Sequence, residues 1–404
     1  MKIGIIGAGA SGMVAAIVAA EDPRNEVLLF ERQSRVGRKL LATGNGRCNL
    51  SHWSAGMGNY HGSSSAFVLP ALTAMDVQQT LHFFRGLGLY TVAESDGKIY
   101  PYSDQANSVV DVLRFALDRP NVRLRLGAEI SGVKHSAQGL LLKTSEESVF
   151  VDRLVVACGG AAGGKLGGSL SGYQLLRSLG HHCTKLYPAL VQLKTDVEPI
   201  RGLKGVRANA AVELRANEHV LAVSRGEVQF TEYGVSGPAI FEVSRAAAAA
   251  PSGAALHLDL LPELPSDMLL STLCLRIVHQ PHLSCGDLLT GTLHNRLGRV
   301  LLRSVGVSQD LPLHELRWAQ LAALTEAVHD FTLPLTGTMG MDNAQVTAGG
   351  IELGEFDPAT LESRIVPGLY ACGEVLDIDG DCGGYNLQWA WSSGHLAGKS
   401  ASTL

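Results

Sequence analysis

Residues 2–20, KIGIIGAGASGMVAAIVAA, decide the fold. Lys2 to Ile6 is an apolar run too short for a helix and suited to a buried parallel strand. Gly7, Gly9 and Gly12 follow in G-x-G-x-x-G spacing, and MVAAIVAA offers small apolar residues for a helix packed closely on a sheet. EVLLFE then supplies a second strand ending at Glu31, 19 residues after Gly12. In that context Gly7 permits the tight turn, Gly9 lets a pyrophosphate approach the backbone and Gly12 lets helix meet strand. Ala10 and Ser11 open the helix whose N-terminus faces the phosphates, and Glu31 accepts the ribose hydroxyls. The stretch predicts a dinucleotide site and leaves NAD and FAD both open.

The remaining composition narrows the class. At 404 residues the chain is long enough for two or three domains. Its 46 glycines exceed the usual share without any fibrous repeat, so the surplus belongs where backbone approaches backbone or ligand. A net charge of −5 argues against a globally basic nucleic-acid binder but not against a local basic patch. Seven cysteines with no Cys-x-x-Cys pair exclude zinc ribbons and dithiol redox motifs and fit reduced thiols in a cytoplasm. The N-terminal apolar run does not read as a signal peptide, because glycines interrupt it and Glu21–Asp22 closes it. No uninterrupted apolar stretch of about 18 residues suggests a membrane span. Fourteen histidines show no metal spacing such as H-E-x-x-H; His181, His182 and His395 read as structural.

LVVACGGAAGGKLGG, residues 154–168, has Walker-A spacing at Gly159 and Gly164–Lys165. Leu166 stands where a magnesium-binding Ser or Thr is required, which excludes nucleotide-triphosphate hydrolysis. The strand end Ala157–Cys158–Gly159 instead resembles the Ala-Thr-Gly of two-dinucleotide flavoproteins, where small residues let backbone pass a bound dinucleotide. GLYACGEVLDIDGDCGGYNLQWAWSSGHLAG, residues 368–398, decides the coenzyme. A strand ends in Gly373–Glu374, and a glycine turn leads to a helix expected at roughly Asn386. In FAD folds such an acid binds the ribityl chain, and the helix N-terminus, here Asn386 and Leu387, faces the pyrimidine edge of the flavin. A cofactor motif returning this late suits FAD, which extends through its domain. No second strand–GxGxxG–helix unit exists for a nicotinamide, so any NAD(P)H binds transiently, as an electron donor, or elsewhere.

GRKLLATGNGRCNLS (37–51), KIYPYSDQA (98–106), GEVQFTEYGVSGPAIFEVSR (226–245), VTAGGIELGEFDP (346–358) and the C-terminal block together resemble the YhiN/BaiN, or aminoacetone-oxidase-like, flavoproteins. The likeness runs in order over nearly the whole chain, but AAGGKLGGSLSG (161–172) stands where the family carries a proline-containing S-x-P-x-x-G-S. It implies an α/β fold: a Rossmann-like FAD-binding domain of the two-dinucleotide flavoprotein type with an inserted β-barrel plus helical module. The expected domains are 1–190, an insert over 191–334 with helices at about 261–308, and 335–404. VQLKTD, ANAAVELRA and GEVQFTEYG read as strands of the insert; SDMLLSTLCLRIVH and CGDLLTGTLHNRLGRVLLRSVG have helical spacing. The implied cofactor contacts add Arg38, Lys39, Gly44, Asn45, Arg47 and Ile130 to those above, with Lys39 and Arg47 offsetting phosphate or reduced-flavin charge.

The family's chemistries are reduction of a carbon–carbon double bond conjugated to a ketone, reduction of uridine in ribosomal RNA, and oxidation of an aminoketone with oxygen. The first two share one step, hydride to the carbon β to a carbonyl and a proton to the α carbon. Cys48, in the loop expected at the flavin, is the candidate acid, with Tyr102 beside it and Tyr100, Tyr233 and Tyr385 as weaker donors. The resulting expectation is a cytoplasmic FAD-dependent ene-reductase whose leading substrate is a uracil ring in RNA, with a small steroid-like enone as the other. An amine or aminoketone oxidase, or a non-enzymatic flavin-stabilised RNA- or protein-binding module, are the alternatives. RNA would need the insert's Lys194, Arg201, Lys204, Arg207, Arg215 and Arg225, or Arg296, Arg299 and Arg303, which share a helical face.

Overall fold

A computed structural model describes residues 1–217 and 219–403. The polypeptide forms two compact units, Met1–Tyr187 with Gln345–Leu404, and Pro188–Ala344. Each has its own hydrophobic core.

The first unit is built on a five-stranded parallel sheet. Strand β1 (Lys2–Ile6) lies at its centre, with β2 (Glu26–Glu31) and Arg153–Val156 on either side and Val122–Leu126 and Leu369–Ala371 at the edges. Parallel strands covered on both faces need apolar side chains throughout, and Ile3, Ile5, Leu29 and Val155 are fully buried. Helix α1 (Ala10–Ala19) follows the first glycine turn. Gly7 sits at φ +102°, and a Cβ on Gly12 would collide with the Gly7 carbonyl, so the turn is restricted to glycine. The C-terminal helix Tyr385–Ser402 packs on α1: Cβ atoms on Gly394 and Gly398 would fall within about 3 Å of the Ser11 and Ala15 backbone. Its Trp389 and Trp391 are buried, and the Trp391 Nε1–H donates to the Leu50 carbonyl at 2.9 Å. Loss of either indole would cost about 3–5 kcal/mol.

The second unit holds a closed six-stranded barrel. Its order is Leu193–Thr195, Gly234–Ser236, His219–Phe230, Arg207–Ala216, Ala255–Asp259 and Phe331–Thr338. Closure removes the exposed edges that so short a set of strands would otherwise leave. Helices Pro238–Ala249, Ser266–His279, Asn295–Ser304 and Trp318–His329 accompany it. Phe331–Thr338 being a barrel strand moves the second boundary beyond the expected 334–335. Residues 285–306 are not one helix: Gly291 at φ +84° interrupts the pattern, and only Asn295–Ser304 is α-helical there. Among the described residues no helix is long and apolar enough to cross a membrane.

Candidate cofactor and active site

Two α-helices of the first unit start directly after a glycine. Helix α1 begins after Gly9, and the C-terminal helix begins after Gly384; neither has a side-chain cap. Their first-turn N–H groups are therefore available to an anion or to the electron-rich edge of a ring. A Cβ on Gly9 would meet no atom within 4 Å, which leaves open space over the first turn. Glu31 ends β2 with its carboxylate held by the backbone N–H groups of Ala8 and Gln33, each at 2.8 Å. Ala10 and Ser11 form the first turn of α1, and the strand end Cys158–Gly159 lies next to β1, where the Cys158 thiol faces the Ile6 carbonyl at 3.6 Å.

The second strand–helix return is wired differently. Glu374 accepts from Lys39 Nζ at 2.7 Å and from the Thr347 N–H at 2.9 Å. Thr347 in turn accepts from the Ala162 N–H at 2.9 Å. Gly373 is fixed at φ +73° by Ser393 Oγ, which accepts its N–H at 3.0 Å. Asn386 exchanges two 2.8 Å hydrogen bonds with the Gly380 backbone, so its side chain pins the 380–384 turn, while Leu387 is partly buried. Sequence spacing does not single out Thr347: a threonine in VTAGG carries no signal that names a carboxylate partner.

The arginine–cysteine loop departs from its expected roles. Gly44, Asn45 and Gly46 are consecutively left-handed, followed after Arg47 by Cys48 at φ +62°. Arg47 does not offer a free charge: Glu94 binds it at 2.8 Å, Asp104 binds it too, and it lies 4.0 Å over the Tyr100 ring. Those carboxylates hold its ionisation well above the ordinary range. Arg38 is exposed and donates to Gln33 at 2.8 Å. Cys48 has 0% exposure, and burial pushes its thiol up to about 12. A group so enclosed touches neither cofactor nor substrate as placed, and a thiol that weak is a poor acid near neutrality. Tyr102 is the opposite case, 76% exposed. Ile130 is buried in the core of the same unit.

These residues fit FAD. The uncapped start of α1 with the open space at Gly9 suits a pyrophosphate, and Glu31 suits a ribose. Asn49, only 9% exposed, has a buried side-chain oxygen without a hydrogen-bond partner, and that oxygen lies 2.8 Å from where a Cβ of Gly384 would stand. A buried acceptor beside free helix N–H groups matches the donor and acceptor edge of a flavin pyrimidine ring.

Residues 1–400 match the family described as HI0933-like protein Rossmann domain. The chain is 42% identical over 405 residues to the 3-dehydro-bile acid delta(4,6)-reductase of Clostridium scindens, covering 99% of each. It is 32% identical over 392 residues to the ribosomal RNA dihydrouridine synthase of Escherichia coli, covering 96% of this chain and 95% of that one. Among solved structures, 3-ketosteroid delta1-dehydrogenase from Sterolibacterium denitrificans has the same fold, with a TM-score of 0.52 at 12% identity over 99% of both chains. The chain belongs to the HI0933-like family and is an oxidoreductase with a Rossmann-like FAD-binding domain.

Proposed function

We propose that this HI0933-like protein is an ene-reductase that reduces a carbon–carbon double bond conjugated to a carbonyl, with NAD(P)H as the transient reductant. The observation that carries the reading is that relatives with very different named substrates, a bile acid and ribosomal RNA, align over at least 95% of this chain. Reduction of an enone and of uridine to dihydrouridine are the same step, so the chain length they share supports one reaction. Bound FAD supplies a hydride at N5 for the carbon β to the carbonyl. The chain's part is to seat that ring on the Asn49–Gly384 cradle and the start of the C-terminal helix. Lys39 and Glu374, paired at 2.7 Å, would orient each other at the ribityl end.

A small hydrophobic enone of the steroid type is the substrate this reading favours. Residues 188–344 carry 12 Lys and Arg against 16 Asp and Glu, and most of the basic residues expected to meet RNA are paired. Lys204 binds Glu232, Arg207 binds Glu227, Arg215 binds Glu213 and Arg225 binds Glu263. One feature favours the RNA reading: Arg201, Arg296, Arg299 and Arg303 line an open groove of about 400 Å³ in the second unit. The test is anaerobic. Flavin-loaded enzyme, chemically reduced, is mixed with a steroid 4-en-3-one or with uridine-containing ribosomal RNA, and flavin reoxidation and the saturated product are followed. Reoxidation with the enone supports the reading. Reoxidation only with RNA moves the substrate to uridine, and reoxidation only by oxygen with peroxide release and substrate turnover would establish an oxidase.

A further inference from the structure

We propose that Gln388 is a positioning residue for the flavin: through Ser51 it holds the Asn49 side-chain oxygen where it accepts the N3–H of the pyrimidine ring. The inference rests on the flavin seating in the reading above and not on the choice of substrate. Gln388 is the fourth residue of the C-terminal helix, and its backbone N–H donates to the Gly384 carbonyl at 3.0 Å. Its side-chain Oε1 accepts the Ser51 hydroxyl at 2.6 Å, across 337 positions of sequence. The Ser51 carbonyl oxygen stands 2.6 Å from where a Cβ of Gly384 would be, and Asn49 Oδ1 stands 2.8 Å from the same point. The contacts close a ring, from Gly384 to Gln388 to Ser51 and back to Gly384.

The surroundings also orient the amide. The Met75 carbonyl can only accept, and Gln388 Nε2 faces it at 3.1 Å. Ser392 Oγ donates its one hydrogen to that same carbonyl at 2.6 Å, so it can only accept from Nε2, 2.9 Å away. Thr80 Oγ1, in helix Val77–Gly86, accepts from Nε2 at 2.8 Å. The reverse orientation would set the amide oxygen against the Met75 carbonyl. The amine end is therefore engaged by these acceptors, which leaves Oε1 for Ser51.

Gln388, Ser51, Thr80 and Ser392 are all fully buried. Burying so many polar groups costs more than filling the same space with apolar side chains, and what a fully paired network adds is a fixed geometry. Here it fixes residues 49–51. Leu50 is held along the chain by its own backbone, its N–H on the Ile99 carbonyl at 2.7 Å and its carbonyl on the Trp391 indole at 2.9 Å. Ser51 supplies the cross-link to the helix start. Beside that uncapped start, Asn49 keeps a buried side-chain oxygen with no hydrogen-bond partner among the described residues. A buried acceptor in this position calls for a donor from the ligand. N3–H is the one donor on the pyrimidine edge of an oxidised flavin, flanked by two carbonyl oxygens that suit the helix N–H groups.

The consequence separates positioning from simple core stability. Cutting the Ser51–Gln388 bond frees residues 49–51 to move off Gly384, and FAD then loses one hydrogen bond at N3. A flavin methylated at N3 never makes that bond and keeps its affinity. A network that only stabilises the core would weaken both flavins together.

The experiment strips flavin from the full-length protein and measures the dissociation constants of FAD and N3-methyl-FAD for the native chain, Ser51→Ala, Gln388→Leu and Asn49→Ala, with thermal melting of each sample. The native protein is expected to prefer FAD by about tenfold or more, the ordinary worth of one buried hydrogen bond. Ser51→Ala and Asn49→Ala are each expected to weaken FAD by about tenfold and to leave N3-methyl-FAD unchanged. Gln388→Leu takes a partner from Ser51, Thr80 and Ser392 at once, so its Tm is expected to fall as well. Ser51→Ala, the smaller cut, decides the matter where Gln388→Leu does not fold. In protein loaded with FAD labelled with ¹⁵N at N3, the native N3–H should exchange slowly with water, and Ser51→Ala should speed that exchange and shift its NMR signal upfield. Ser51→Ala with the native ratio of the two affinities, or with a native N3–H signal, overturns the role of Gln388 alone. Native protein that binds both flavins equally, or Asn49→Ala that keeps the native preference, overturns the seating of the ring on the Asn49–Gly384 cradle, and the positioning with it.

Discussion

Gly9 separates what the first glycine turn does for folding from what it does for the cofactor. Its φ of −83° is open to any residue, and a Cβ there would touch nothing within 4 Å. Gly7 and Gly12, by contrast, are demanded by the chain itself. Gly9→Val is therefore expected to fold with a Tm close to native yet to be purified with little flavin, read from visible absorbance and thermal melting of the same sample. A variant that keeps full flavin content would remove the pyrophosphate from this turn. The motif was legible because its spacing is local: strand, turn, helix and acid lie within 31 residues. Arg47 and Cys48 were not. Arg47 is neutralised by partners 47 and 57 positions away, and the enclosure of Cys48 depends on the whole core. The sequence marks Asn49 as a hydrogen-bonding residue of the loop expected at the flavin, but only the placement of Gly384 against its side-chain oxygen gives it a definite neighbour.

At the scale of elements, Glu355 joins two segments through adjacent histidines. It accepts from His181 Nδ1 at 2.9 Å, from His182 Nδ1 at 2.6 Å and from the His182 N–H at 3.0 Å, while His181 Nε2 meets Ser363 Oγ at 3.0 Å. Their sequence context suggests structural histidines, and this bridge is a structural use for them. Burial raises the Glu355 carboxyl, but the hydrogen bonds from His182 and His181, with the His181 charge, together outweigh it and leave it below its ordinary value. Burial likewise lowers His181, while hydrogen bonding to Glu355 raises the exposed His182. The lowered carboxyl and the lowered His181 contribute stability that is lost as pH falls through their folded values. The raised His182 contributes stability that is lost as pH rises through its own. Glu355→Gln is expected to cost about 1–3 kcal/mol near neutrality, or about 2–4 °C of Tm per kcal/mol, and to flatten the acid side of a Tm–pH curve. A curve that keeps its native shape would assign the acid loss to other groups. Element limits were legible where periodicity was uninterrupted, as in Ser266–His279, expected and found over the same residues. They were not where one glycine with positive φ breaks an apolar pattern, as at Gly291.

For the whole molecule, the insert is where fold and substrate questions meet. Its barrel was foreshadowed by alternating strands and by family resemblance, but whether its arginines form an RNA surface could not be read from a linear count, since the answer lies in pairing. Arg296 donates to the Gly202 and Lys204 carbonyls at 3.3 Å and Arg303 to the Arg201 carbonyl at 3.0 Å. Neither has a carboxylate partner among the described residues, whereas Arg299 stands 3.7 Å from Asp287 and Arg201 3.9 Å from Glu198. Such exposed, long ion pairs contribute about 0–1 kcal/mol and leave the groove positive. Arg296→Glu with Arg303→Glu adds negative charge there and leaves the FAD-binding unit's sequence untouched. If the substrate is a small enone, the double variant is expected to reoxidise with a steroid 4-en-3-one at the native rate and with the native dependence on salt. If the substrate is ribosomal RNA, its RNA affinity should fall by about tenfold or more at moderate ionic strength, with a shallower slope of log affinity against log salt, because each lost phosphate contact removes roughly one unit of that slope. Dihydrouridine measured by mass spectrometry in ribosomal RNA from cells with and without the gene then decides whether that affinity is used. A native dihydrouridine that disappears on deletion and is not restored by the double variant would assign the arginine groove to RNA. Unchanged dihydrouridine on deletion would leave the small enone as the substrate and the groove as a solvated face.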